Sequence, residues 1–153
     1  MGEAARASHK GRILCAVAAA IVVSAWGGWL VFSLAIGALQ TPPFGLSSDM
    51  VVADMVGSWL FAGLVSLSFV IPSVLVLNLP VAIYIMRNRV DRPTGGMLLL
   101  AVAAIQTIAT PSLALPWFGA PTELISLAMP IALPFACLAS LTTWWVLYRE
   151  RTV

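Results

Sequence analysis

Ser48-Asp49 and Thr122-Glu123 are the most patterned polar residues of the chain. Each pair sets a hydroxyl beside a carboxylate just ahead of a long apolar run. Two such carboxylates at one end of a helical bundle would form a vestibule that attracts a cation. Helix capping explains the same pattern, because a Ser or Thr oxygen accepts from the first free amides and an acid favours the positive end of the helix dipole. Asp54 lies about one turn further into its apolar run. An ionisable group at that depth is costly and often marks an ion or proton path. It can equally reach the interface as a wetted acid, since no basic residue lies within any apolar run to pair with it. Asp54, Asp49 and Glu123 are therefore the possible ion or proton site.

Other polar residues interrupt the apolar runs. Gln106, Thr107 and Thr110 precede Pro111, and Asn78 precedes Pro80. They could line a path, or satisfy the backbone carbonyls that the prolines leave without donors. The remaining chemistry is sparse. The one histidine, His9, sits in the polar amino-terminal segment, so paired histidine ligation of haem within a bilayer is not available. Cys15 and Cys137 lie in separate apolar stretches without metal-ligand spacing. No HExxH, GxSxG or phosphate-binding glycine loop occurs. The expectation is a protein that is not an enzyme, with no catalytic residue, cofactor or metal.

The elements that must position these residues follow from composition. Of 153 residues, 61% are hydrophobic and 9% charged, with a mean hydropathy of +1.00. A soluble domain carries roughly a quarter charged residues because its surface faces water. Several apolar runs here exceed the roughly 20 residues that cross the ~30 Å hydrocarbon core as a helix. Strand-length alternation of the kind a transmembrane barrel needs is missing. The predicted class is an all-α membrane protein with four transmembrane helices.

Residues 1–12 form a basic tail, 13–86 a first hairpin, 87–96 a charged hinge, 97–148 a second hairpin, and 149–153 a short tail. Span one runs from 13 to 39; Val23-Ser24-Ala25 looks like a signal-peptidase site, but the apolar run continues past it and favours an uncleaved anchor. Pro42-Pro43 stops that helix. Span two, 50–86, is too long for one straight crossing, and Pro72, Asn78 and Pro80 predict a spanning part up to Val74 followed by a kinked or interfacial tail from Leu75 to Met86. The eight basic residues fall as three before span one, three in the hinge (Arg87, Arg89 and Arg92) and two after span four, with none in either outer loop. Positive residues stay on the cytoplasmic side, which places both termini and the hinge there, in a bacterial inner membrane. Trp144, Trp145 and Tyr148 are expected in the aromatic belt of that face. This topology accounts for the net charge of +2 without nucleic acid.

An offset of 74 residues brings the halves into partial register, with nine identities between 42–68 and 116–142, Phe61 over Phe135 and Ser66 over Ser140 among them. This predicts two tandem hairpins, a parallel internal repeat. Small residues recur at every fourth position in Ala16, Ala20, Ser24 and Gly28, and in Ala128, Ala132, Ala136 and Ser140. Such stripes let helix backbones approach closely in lipid. Beyond the bilayer, the partners expected are a second copy or a larger membrane protein. The leading function is a small membrane protein acting through helix contacts, as a homo-oligomer or accessory subunit. The alternative is a small oligomeric transporter or channel for a cation, proton or small solute.

Overall fold

A computed structural model describes residues 2–39, 48–117 and 125–149, with side chains described for 10–34, 57, 59–112 and 128–149. All regular structure among the described residues is helical: α1 (Gly2–Leu39), α2 (Ser48–Ser73), a π turn (Val74–Asn78), α3 (Leu79–Arg87), α4 (Arg92–Trp117) and α5 (Ile125–Tyr148). Four stretches are long and apolar enough to cross a membrane: Lys10–Leu34, Trp59–Arg87, Arg92–Ser112 and Ala128–Tyr148. Among the described residues the chain is thus all-helical, with four helices able to span a membrane, consistent with a multi-pass membrane protein.

α5 lies between α1 and α4, and α1 also carries α2. The α1–α5 contact joins what the sequence predicts as separate hairpins. Its closeness comes from small side chains. Ala16, Ala20 and Ser24 are buried along one face of α1, and Gly28 continues that face. A Cβ added at Gly28 would enter the ring of Phe135. Below this seam Val17, Ala20, Val70, Val74 and Ala139 form one core cluster, and Ala16, Ala82, Ile85, Met86, Leu99, Leu147 and Tyr148 form a second.

Residues 75–86 do not peel away as the expected tail. The helical path is unbroken from Ser48 to Arg87, and the candidate span extends to Arg87. Ser66, Val70, Val74, Asn78, Ala82 and Met86 are all buried. On a 3.6-residue helix a spacing of four drifts by about 40° per step, so such a row should wind off the core. The π turn takes an extra residue, with the Leu79 N–H bonded to the Val74 carbonyl, and that takes back part of the drift. Pro80 falls in the first turn of α3, where its missing N–H is tolerated.

α1 reaches back to Gly2, and α4 opens at Arg92, so both helices extend into segments predicted as tail and hinge. The hinge is a built turn. Arg89 takes a left-handed φ of 49°, and the Val90 N–H reaches back to the Ile85 carbonyl at 3.1 Å, a helix-ending pattern. Asp91 caps α4, accepting from the Thr94 N–H at 3.3 Å. Hydrogen bonds from Thr94, its side chain first and then its backbone, hold the Asp91 carboxyl below the usual aspartate value.

Candidate functional site

The site begins with amides that have no water to turn to. Asn78, on the last residue of the π turn, is fully buried, as is Thr143 on α5; Gln106 on α4 is 2% exposed. In lipid an amide must find a partner inside the protein. Gln106 Nε2 donates to Asn78 Oδ1 at 2.6 Å, Asn78 Nδ2 donates to Thr143 Oγ1 at 3.3 Å, and Thr143 Oγ1 donates to the Ala139 carbonyl at 2.8 Å. The direction of the chain is set from its far end. The Thr143 proton goes to a carbonyl, which can only accept, so the hydroxyl must accept from the amino group of Asn78. Asn78 then presents its oxygen to Gln106, which leaves Gln106 Oε1 pointing away from the chain. That atom has no partner.

Gln106 also lines a partly open cavity of about 210 Å³ between α2, α4 and α5, walled at the back by α1. The cavity exists because α2 is held by α1 and by the π turn but barely touches α4. Three of the small residues on α5, Ala128, Ala132 and Ala136, face this space. Their short side chains leave a trough that none of the described side chains fills. Pro111, buried on α4, forms another part of the wall.

The hydroxyls around the cavity are already engaged. Ser24 Oγ donates to the Phe135 carbonyl at 2.7 Å, Ser66 Oγ reaches the Gly63 carbonyl at 2.8 Å, and Ser73 and Thr110 share a hydrogen bond of 3.0 Å. Two polar atoms of the lining residues remain without partners, Gln106 Oε1 and Trp29 Nε1. The Trp29 ring is held edge-on by Phe32 and Phe135, at centroid distances of 5.6 and 5.8 Å. The site therefore has an apolar wall, one spare acceptor and one spare donor. None of the described residues that line it is charged.

A second polar cluster sits where the hinge meets the end of α5. Tyr148 Oη lies 3.0 Å from both the Val90 and Asp91 carbonyls, and Trp144 Nε1 donates to the Arg92 carbonyl at 3.3 Å. Arg92 stacks over Trp144 at 4.6 Å, and Arg149 over Trp145 at 4.7 Å. Tyr148 is only 3% exposed, so it ties the hinge to the core instead of joining an aromatic belt; Trp145 is half exposed.

Of the acidic residues, Asp49 and Asp54 fall on the first two turns of α2 with side chains outside the described residues, and Glu123 lies outside the described residues altogether. Arg87, Arg89 and Arg92 are exposed around the hinge. The stripe on α1 faces α5, whereas the one on α5 divides: Ala128, Ala132 and Ala136 reach the cavity, and Ser140 is buried with its hydroxyl unpartnered. Among the described residues no group of His, Cys, Asp and Glu is placed to hold a metal ion. Sequence reasoning singled out Gln106 and Asn78 but not their contact, nor Trp29. The signal for the pair was available: two primary amides in apolar runs of different spans have few other partners. Compared with protein-family models, curated proteins and solved structures, the chain matches none.

Proposed function

We propose that this chain is a small, non-enzymatic protein of a bacterial inner membrane, built of two tandem hairpins with both termini and the hinge on the cytoplasmic side. It acts through helix contacts in the plane of the membrane, as a homo-oligomer or as an accessory subunit of a larger membrane protein. Arg87, Arg89 and Arg92 set its orientation.

The observation that carries this reading is the unequal fate of two matching phenylalanines. Phe135 sits over Gly28 and against Trp29 within the chain. Phe61, its counterpart in the repeat, is 69% exposed, with Leu60 and Leu64 exposed beside it. The same segment that finds a small-residue seat in the second half finds none among the described residues in the first, and a second copy of the chain is the partner the repeat favours. Purification in a gentle detergent followed by native mass determination tests this. A dimer or larger homo-oligomer, reduced about tenfold in association by Phe61→Ala, is the expected result. A stoichiometric larger protein would make the chain an accessory subunit, and a monomer alone would overturn the reading.

A small oligomeric transporter or channel is the second reading. It is favoured by the π turn and the buried amides beside a cavity, since π turns within helices are frequent at functional sites. In that case Asp54, with Asp49 or Glu123, supplies the ion or proton site.

A further inference from the structure

We propose that the cavity between α2, α4 and α5 binds a neutral, lipid-soluble molecule with a ring-sized head bearing a hydroxyl, of the alcohol or phenol class. Size, chemistry and access each narrow the ligand to this class. An apolar protein cavity of about 150 Å³ accepts benzene. At about 210 Å³ this one has room for a ring with a short substituent. The wall is almost wholly apolar, with Phe69, Val70, Ile131 and Phe135 among its larger side chains, so the ligand's body must be apolar too. An ion is disfavoured, because none of the described side chains lining the space is charged to offset its desolvation.

Polar recognition comes from the two atoms that the fold leaves over. Gln106 Oε1 accepts and Trp29 Nε1 donates, and a hydroxyl is the smallest neutral group able to pair with either one. Both atoms are set into the wall, so the ligand engages them as neighbouring side chains adjust. Leaving them unpaired is costly in a dry interior, and occupation relieves that cost. Gln106 cannot turn its oxygen inward without breaking its hydrogen bond to Asn78, which is locked through Thr143. The acceptor is thus held ready by a chain that spans α4, the π turn and α5. Access is sideways, where α2 stands off α4, so the ligand enters from the lipid phase. None of this depends on the oligomeric state.

The test uses the full chain in lipid nanodiscs, with p-ethylphenol and ethylbenzene as probes that differ by the hydroxyl. Saturable binding is read from tryptophan fluorescence and from the thermal shift. Wild type should bind p-ethylphenol, Gln106→Leu should weaken that binding about tenfold, and ethylbenzene binding should change little. Comparing variants with wild type cancels the partitioning of each probe into lipid. Trp29→Phe leaves the amide chain intact and removes only the donor, so it gives an independent reading if Gln106→Leu fails to fold. Ala132→Phe should fill the trough and abolish binding of both probes. Absence of saturable binding to wild type would overturn the proposal, as a space that holds only water. So would p-ethylphenol affinity unmoved by both Gln106→Leu and Trp29→Phe.

Discussion

Gly28 and Gly57 lie within helices of similar apolar character, yet an added methyl would meet opposite surroundings. At Gly28 it enters the Phe135 ring, which the neighbouring Trp29 also contacts edge-on. At Gly57 nothing lies within 4 Å. Overpacking a fixed ring costs about 1–3 kcal/mol, whereas replacing an open helical glycine with alanine is worth up to about 1 kcal/mol in the favourable direction. Gly28→Ala should therefore lower the unfolding temperature in mild detergent, and Gly57→Ala should leave it unchanged or raise it. Equal effects at the two positions would sink the close α1–α5 seam. The same logic applies at Gly95, where a Cβ would collide with the Tyr148 hydroxyl that anchors the hinge. Four-residue spacing in α1 was legible as a packing face. Which helix would meet it was not, because spacing reports a surface and not its partner.

At the scale of elements, the π turn decides what the long second span does. It keeps the row from Ser66 to Met86 on the core and delivers Asn78 to Gln106 and Thr143. Asn78→Leu leaves the Gln106 amino group without its partner, at a cost of about 1–3 kcal/mol by the general penalty for a stranded buried donor. Hydrogen bonds measured between membrane helices average nearer ~0.6 kcal/mol, so the lower end is expected. The double variant Asn78→Leu with Gln106→Leu should lose less than the two single changes added together, by about 0.5–1 kcal/mol. A strictly additive cycle in chemical unfolding would mean that the chain of amides does not couple α4 to the π turn. The prolines made an irregularity in this span legible, and the structure shows it as a π turn within an unbroken helical path. Local propensity alone favours the kink, and tertiary burial of Ala82 and Ile85 outweighs it.

For the whole molecule, the proposed orientation rests on where the eight basic residues fall, and it can be measured directly. Reporter fusions at the amino terminus, at the carboxyl terminus and within the hinge should all report the cytoplasmic side. Insertions near residues 43 and 119 should report the opposite side. Replacing Arg87, Arg89 and Arg92 together by neutral residues should yield a mixed population, since the charge bias acts on short loops close to the spans. A uniform orientation after that change would assign the decision to the amino-terminal basic segment instead.

The sequence by itself determined the helical class, the four spans and the charge asymmetry, because each depends on local composition and length. A run of apolar residues must be helical in lipid whatever it packs against. Tertiary structure decided how the spans meet: α5 between α1 and α4, Tyr148 turned onto the hinge carbonyls, and three of the four residues of the α5 small-residue stripe facing a cavity. These depend on shape matched across residues distant in the chain, such as Gly28 and Phe135, and no local pattern encodes which surfaces come together. The spare atoms of Gln106 and Trp29 belong to the same class. An unpaired group is defined only once every neighbour has been placed.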